Sequence, residues 1–299
     1  MKKLTVMLLV ALCSISMAFA GGTKEETKSD SSKLIGLSIS TLNNPFFVTV
    51  VDGAKADAES EGYDLTVVDA GDDVVKQIND IDDLVSKGAK VIIINPVDSD
   101  AVAPAVKSAK AAGVKIISVD RAVNGESVSC SIASDNVMGA KLAADYMVSM
   151  IGEGAEVAEL QGVLGASATI DRGEGFHQVA DTKLNIVASQ TANFNRAEGL
   201  SVMENIYQAH PGIKGVFAHN DEMALGAVQA LAGVADDVVI IGFDATDDAR
   251  DAVANGKLAA TVAQQPQLMG ERAVQTAVKL LNGETVPQSL PVDVTLVTE

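Results

Sequence analysis

Short apolar runs alternate with longer amphipathic stretches from residue 33 onward. The runs are four to seven residues long and mostly rich in Val and Ile, which is typical of buried parallel strands. Strands are predicted at 34–40, 65–69, 91–95, 114–120, 155–160, 185–189, 215–218 and 238–243, with weaker candidates at 128–132 and 259–263.

The stretches between these runs have the period of helices. Residues 99–112 carry apolar side chains at three- and four-residue spacing, namely Ala101, Val102, Ala105, Val106 and Ala109. Pro104 is expected to shorten or bend the first turn of this helix. A second helix is predicted over 195–209, with Leu200, Met203, Ile206 and Tyr207 on its buried side.

Alternation of strand and helix predicts an α/β fold with doubly wound parallel sheets. The number of strands and the length of 299 residues fit two sheets, each in its own lobe, better than one. No Pro- or Ser-rich linker separates the two halves. Short crossings are therefore expected between the lobes, an arrangement that suits a hinge.

The N-terminus has the pattern of a cleavable export signal. Lys2 and Lys3 precede an uncharged stretch, and Ala18 and Ala20 fit the small-x-small rule for cleavage. Residues 1–20 are thus predicted to be a signal peptide and 21–32 a flexible polar leader. A membrane anchor is less consistent with so short a stretch, and lipid attachment at Cys13 lacks the small residue before it. Removal of the signal leaves Cys130 as the single thiol, expected to pack as a small strand residue.

Net charge excludes one large class of function. The chain has 22 basic and 40 acidic residues, and loss of Lys2 and Lys3 with the signal takes the formal net charge from −18 to −20. Nucleic-acid affinity depends on Lys and Arg that displace counterions from phosphates, so nucleic-acid binding is excluded. An apolar fraction of 47% also excludes a wholly disordered acidic protein.

Catalytic and metal-binding motifs are scarce. His177, His210 and His219 do not stand at metal-ligand spacing with one another, so each is interpreted as a surface or packed histidine. Acidic clusters such as 80–83 and 247–248 lack the pattern of a calcium loop and are expected on solvated helix faces. We therefore predict no enzyme activity, no metal and no cofactor.

Polar and aromatic residues follow the apolar runs, at the sheet edge where open α/β folds bind ligands. Each run in turn supplies candidates: Asn44, Phe46 and Phe47, then Asp120 and Arg121, then Arg172, Phe194, Asn220, Asp244 and Gln264. A local salt bridge is an alternative role for Asp120 and Arg121, and a place in the core for the three Phe residues.

Motifs around these positions resemble those of the type I periplasmic sugar-binding proteins, most closely the ribose-binding members. They are STLNNPFF (40–47), INPVDSDAV (94–102), VDRAV (119–123), IASDN (132–136), RGEGF (172–176), AHNDEMALGA (218–227), GFDAT (242–246) and GKLAATVAQ (256–264). The resemblance spans nearly all of the chain after residue 34. It implies that all ten candidates contact D-ribose, since each holds the residue type that the ribose binders use.

The same resemblance implies the domain organisation and the partners. One lobe would comprise 33–134 and 265–293, and the other 135–264 and 294–299, with hinge crossings near Ser134, Gln264 and Val292. The expected protein is a periplasmic monomer that delivers D-ribose to the permease of an ABC transporter. A chemoreceptor is a further partner that the resemblance allows.

Three alternatives remain open from the sequence. Another sugar such as allose, or a furanose-like signal molecule, would use the same architecture, whereas glucose and galactose binders typically use a Trp platform and a calcium loop, and this chain has no Trp. A sugar-sensing repressor would need a basic DNA-binding segment where the signal peptide stands. An enzyme acting on pentoses would need catalytic motifs that the sequence does not contain.

Overall fold

A computed structural model describes residues 33–298, so the predicted signal peptide and the whole of the predicted leader lie outside the described residues. The strands are β1 Leu34–Ile39, β2 Asp64–Asp69, β3 Val91–Ile94, β4 Lys115–Val119, β5 Cys130–Ser134, β6 Glu156–Gln161, β7 Asn185–Thr191, β8 Gly215–Ala218, β9 Val239–Asp244, β10 Ala260–Ala263, β11 Ser289–Val292 and β12 Thr295–Val297. The helices are α1 Pro45–Glu61, α2 Val74–Ser86, α3 Ala103–Ala111, α4 Asn136–Ile151, α5 Ser167–Lys183, α6 Arg196–Ala209, α7 Asp221–Leu231, α8 Asp247–Ala254 and α9 Pro266–Leu281.

The strands form two six-stranded sheets. The first has the order β11-β5-β4-β3-β1-β2, and the second has the order β12-β10-β9-β8-β6-β7. Helices α1 and α9 cover one face of the first sheet, and α2 and α3 cover the other. In the second sheet, α4 and α5 cover one face, while α6, α7 and α8 cover the other. The predicted pair of doubly wound parallel-sheet lobes is confirmed, and we call them the first and second lobes.

The chain passes between the two sheets three times. It leaves the first sheet after β5, returns after β10 when α9 packs on β3, β4 and β5, and leaves again between β11 and β12. In each passage, one or two residues separate the strand of one sheet from the next element.

Two strands differ from the sequence prediction. Neither β11 nor β12 was predicted, because β11 contains Pro291 and both are short and partly exposed. Pro291 is tolerated because β11 lies at the edge of its sheet. Strand β12 also pairs antiparallel with β10, so the second sheet is not wholly parallel.

Helix α3 begins four residues later than predicted, at Ala103 instead of Ser99. The carboxylate of Asp98 accepts hydrogen bonds from the backbone N–H groups of Asp100 and Ala101, which holds this segment in a turn. Pro104 then occupies the second position of the helix, where its missing N–H costs nothing.

Cys130 lies fully buried in β5, as expected of a small strand residue, and is a free thiol. Among residues 33–298, no helix has both the length and the apolar character that crossing a bilayer requires.

Helices α1 and α9 approach closely because glycines face the contact. A Cβ atom on Gly270 would lie 2.0 Å from the carbonyl oxygen of Val50, and one on Gly53 would lie 2.4 Å from that of Gln267. Side chains cannot occupy these positions unless the helix backbones separate.

We predict that Gly270→Ala lowers the free energy of unfolding by about 1–3 kcal/mol, the usual cost of overpacking a core. The matched control is Gly173→Ala in α5, where the nearest atom to the added Cβ is 3.6 Å away. The control should be neutral or stabilising by about 0.5–1 kcal/mol, because alanine restricts the unfolded chain. Denaturant unfolding of both variants checks this, and equal stabilities would contradict the packing argument.

Candidate functional site

A cavity lies between the two lobes at the carboxyl ends of their strands. Its volume is about 240 Å³, including its opening to solvent. The lining residues are Asn44, Phe46, Phe47, Asp120, Arg121, Ala168, Arg172, Phe194, Asn220, Asp244 and Gln264. The structure thus brings all ten predicted site residues together around one cavity. Ala168 was not predicted, since a small apolar residue in the first turn of a helix carries no distinctive signal.

Two helix starts place cavity residues by capping. The side chain of Asn44 accepts a hydrogen bond from the backbone N–H of Phe46 at 2.9 Å, which starts α1 and puts both Phe residues in its first turn. Their rings meet edge to face, with centroids 5.2 Å apart. Asn220 caps α7 in the same way, by accepting from the N–H of Met223 at 3.0 Å.

Three cavity residues have positive φ angles although none is glycine. The values are 64° at Asp120, 59° at Phe194 and 126° at Asp244. Such a conformation is uncommon and costs free energy, particularly for a bulky residue. The amide of Asn220 donates a hydrogen bond to the carbonyl oxygen of Phe194, which holds this backbone in place. All three residues with this uncommon backbone conformation line the cavity.

Arg121 is held by the first lobe and contacts aromatic rings from both lobes. Its Nη1 donates to the carbonyl oxygen of Pro96 at 2.9 Å. The guanidinium carbon lies 5.2 Å from the ring centroid of Phe47 and 5.3 Å from that of Phe194, within cation–π range. Its Nε is 3.8 Å from a carboxylate oxygen of Asp120, too long for a hydrogen bond. The local salt bridge considered from the sequence is therefore a loose ion pair.

Arg172 projects from α5 and is held by the second lobe. Its Nε donates to the side-chain oxygen of Asn136 at 2.9 Å, and its Nη1 donates to the carbonyl oxygen of His219. The guanidinium carbon lies 3.9 Å from the ring centroid of Phe243. A carboxylate oxygen of Asp244 is 3.9 Å from Nη1. These contacts fix a buried cation against one wall of the cavity.

Three buried polar atoms of residues that line the cavity have no hydrogen-bond partner among residues 33–298. They are Oδ1 of Asp120, Nε of Arg121 and Oε1 of Gln264. The amide nitrogen of Gln264 already donates to Asp244 at 2.7 Å, which leaves its oxygen as the acceptor. Buried polar atoms are normally paired, so donors and acceptors of this kind suit a ligand rich in hydroxyl groups.

Burial dominates the acid–base behaviour of the cavity. It raises the pKa of Asp120, although Arg121 and Arg172 act in the opposite direction. It also raises the pKa of Asp244 well above its ordinary value, with Arg172 again opposing. Burial lowers the pKa of both Arg121 and Arg172, but a guanidinium group stays charged at neutral pH. Burial also raises the pKa of nearby Asp221 to about 7. Its carboxyl group accepts hydrogen bonds from the hydroxyl of Thr261 and the backbone N–H of Thr246, which act in the opposite direction.

Some residues that support the site were not identified from the sequence. The amide of Asn95 donates to a carboxylate oxygen of Asp120 at 3.3 Å and to the carbonyl oxygen of Val119 at 3.1 Å. Asn136 holds Arg172, as described above. Asn95 lies directly after β3, so a polar residue at a strand end was the signal available for it. Asn136 is the first residue of α4, and its hydrogen bond with Arg172 becomes visible only in the folded structure.

The described residues 33–298 contain no group of three or more His, Cys, Asp or Glu side chains that is arranged to hold a metal ion. The lining of the cavity combines charged and amide groups with three aromatic rings, from Phe46, Phe47 and Phe194.

Comparison with known proteins agrees with this architecture. A family model described as the periplasmic binding protein domain matches residues 35–285. The chain is 52% identical to a ribose import binding protein of Escherichia coli over 89% of this chain and 90% of that protein. It is 48% identical to a ribose import binding protein of Bacillus subtilis, over 89% of this chain and 87% of that protein.

A solved structure shows the same fold. The Caulobacter myo-inositol binding protein, bound to myo-inositol, is 32% identical and superposes with a TM-score of 0.87. The comparison covers 90% of this chain and 94% of that one. The resemblance inferred from the motifs is thus confirmed, and the chain belongs to the periplasmic binding proteins, a family of transport components.

Proposed function

We propose that this protein is an exported, non-enzymatic solute-binding protein that captures D-ribose between its lobes and delivers it to the permease of an ABC importer. The observation that carries the proposal is the cavity itself, which is lined by all ten residues expected to contact the sugar and holds three Phe rings and, within residues 33–298, three unpaired buried polar atoms. Export with cleavage after Ala20, function as a monomer and engagement of a chemoreceptor belong to the same proposal. The relatives named as ribose import binding proteins support the choice of sugar.

Sugar chemistry matches this lining. A pentopyranose has apolar C–H faces and a rim of hydroxyls, each of which both donates and accepts hydrogen bonds. Phe rings pack against the faces, while Asp120, Arg121 and Gln264 engage the rim. Hydrogen bonds to charged groups contribute about 1.5–3 kcal/mol each, and an unpaired partner costs a similar amount. The site therefore discriminates against sugars with a misplaced hydroxyl.

Calorimetric titration of the purified protein with ribose, allose, galactose and xylose tests the assignment. Ribose should bind most tightly. The dissociation constant of another sugar should be about tenfold higher, or more, for each hydroxyl that cannot reach its charged partner in the site. A clear preference for allose would keep the architecture and change the sugar. No binding of any of the four would overturn the proposed function.

Direct contacts between the lobes support closure as the capture step. The backbone N–H of Ser99, in the first lobe, donates to the carbonyl oxygen of Gly165 at 2.9 Å. The N–H of Ser167 donates to Oγ of Ser99 at 3.1 Å, and Oγ of Ser167 accepts from the N–H of Ala122 at 2.8 Å. Both serines are buried. We call these four residues the interlobe contact.

The interlobe contact involves no cavity residue, so it stabilises the closed form independently of the sugar. Opening about the three chain passages near Ser134, Gln264 and Val292 would break these bonds and give the sugar access. Binding then favours closure because only the closed form lets both lobes contact the ligand. Sugar affinity therefore includes the free energy of the interlobe contact.

We predict that Ser167→Ala weakens ribose binding by about two- to tenfold, because one interlobe hydrogen bond is lost. The change should appear as faster dissociation, since association starts from the open form. Stopped-flow and calorimetric measurements check both quantities. Ser149→Ala, at an exposed site in α4, is the matched control and should leave them unchanged. Unaltered dissociation in the Ser167 variant would contradict the closure proposal.

Buried acids in the cavity imply a conflict between binding and stability. The raised pKa of Asp244 means that the folded protein holds its proton more tightly than the unfolded chain does. Above the raised pKa, the folded state must carry a buried charge that the unfolded state keeps in water. This carboxylate therefore opposes folding at neutral pH, and the penalty disappears as the pH falls below the unfolded value near 4.

Asp244→Asn should consequently raise the thermal midpoint of the unliganded protein at pH 7 by roughly 2–6 °C, if one or two kcal/mol are recovered. The same substitution should weaken ribose binding by about tenfold or more, since a carboxyl oxygen that lines the cavity is replaced by an amide nitrogen, which cannot accept a hydrogen bond. Calorimetry at several pH values is the measurement. The gain in midpoint over wild type should shrink as the pH approaches 4, and a gain independent of pH would contradict the electrostatic cause.

A further inference from the structure

A second buried carboxylate lies in the second lobe outside the cavity. Glu159 is in β6, and its side chain is fully buried. An ionised group in such a place is costly unless hydrogen bonds and nearby charge compensate it. Glu159 neither lines the cavity nor belongs to the interlobe contact.

Four side chains surround the carboxylate of Glu159. Oε1 lies 2.9 Å from Nε2 of His219, which is also fully buried. Oε2 accepts from the hydroxyl of Ser189, accepts from the amide of Gln161 at 3.2 Å and lies 3.4 Å from Nε2 of His177. The two histidines that were interpreted from the sequence as separate packed or surface residues thus meet at one acid.

The proton positions follow from burial and geometry. Burial would raise the pKa of Glu159, but hydrogen bonds, that from His219 foremost and that from Ser189, lower it to about 2, so the carboxylate is ionised. Burial lowers the pKa of His219, which therefore stays neutral at pH 7. A neutral imidazole that donates from Nε2 to Glu159 has an unprotonated Nδ1, and Nδ1 of His219 has no hydrogen-bond partner in the described part of the chain.

His219 connects this acid to the cavity through its backbone. Its N–H donates to the carbonyl oxygen of Leu160 at 2.9 Å, and its ring is held by Glu159, so β6 fixes the residue at two points. Its own carbonyl oxygen accepts the Nη1 hydrogen bond of Arg172. The orientation of that carbonyl consequently depends on the pairing of the ring with Glu159.

We propose that Glu159 and His219 are positioning residues for Arg172: the pair fixes the His219 carbonyl, and this carbonyl aims the guanidinium group into the cavity. Neither side chain lines the cavity. The inference rests on the proposed function, since it concerns sugar affinity, and it adds two residues that control affinity from behind the binding site.

Two variants separate positioning from general stability. His219→Gln keeps a side-chain N–H that reaches Glu159, and it should bind ribose within about threefold of wild type, because the charge-assisted hydrogen bond is retained. The double variant Glu159→Leu/His219→Leu removes both polar partners and leaves no unpaired buried charge, so the protein still folds. Its ribose affinity should fall about tenfold or more, as for loss of one hydrogen bond to a charged group. His210→Gln, at a histidine of the same lobe that does not contact Glu159, is the matched control.

A double-mutant cycle with Arg172→Gln decides whether the effect runs through Arg172. If it does, the double leucine change should alter affinity by less than about threefold once Arg172 is gone, since coupled residues do not add. A full tenfold loss in both backgrounds would show a merely structural effect and overturn the inference. Calorimetry at millimolar sugar measures the weaker complexes.

A readout without sugar keeps this test separate from the choice of ligand. The Nε–H resonance of Arg172, assigned by its loss in Arg172→Gln, should shift in the double leucine variant and stay in place in His219→Gln. An unchanged resonance in the double variant would overturn the positioning role whatever the protein binds. If wild type does not bind ribose but the resonance shifts as expected, the proposed function fails and the positioning role stands.

Discussion

The removal of charge from water is the constraint on which the site depends. Two guanidinium groups and two carboxylates line one buried cavity, and each would cost several kcal/mol without compensation. Each arginine obtains its hydrogen-bond acceptors from its own lobe: Arg121 from Pro96, and Arg172 from Asn136 and His219. Both cations are therefore held from within their own lobes, so the proposed closure would only bring two prepared half-sites together.

The fold brings the cavity residues together with little loop structure. Parallel strands end at the same edge of a sheet, so residues far apart in sequence converge without long loops. Helix caps then serve two purposes, because Asn44 and Asn220 start their helices and line the cavity with the same side chain. Supporting residues stand behind the cavity: Asn95 holds Asp120, whose Oδ1 stays unpaired among residues 33–298, and Glu159 acts through His219 on Arg172.

Sequence patterns predicted most of the framework, since buried parallel strands appear as continuous apolar runs. They missed β11 and β12, whose stability comes from pairing at a sheet edge instead of from apolar composition. The ten cavity residues were recognisable because they follow strand ends and match family motifs. Glu159, His177 and His219 were not recognisable as a group, because 60 residues separate Glu159 from His219 and only the sheet brings them together.

The wall formed by Phe194 limits how this cavity can evolve. A Cβ atom added to Gly162 would lie 2.0 Å from the Phe194 ring, so the ring rests directly on main chain. At Gly162 there is no side chain whose truncation could enlarge the cavity behind the ring. Descendants that accept bulkier ligands must gain space from the opposite wall or replace the ring itself. The main chain at Gly162 thus limits the width of the cavity on the Phe194 side, and substitutions that widen the cavity must act on the opposite wall or at Phe194 itself.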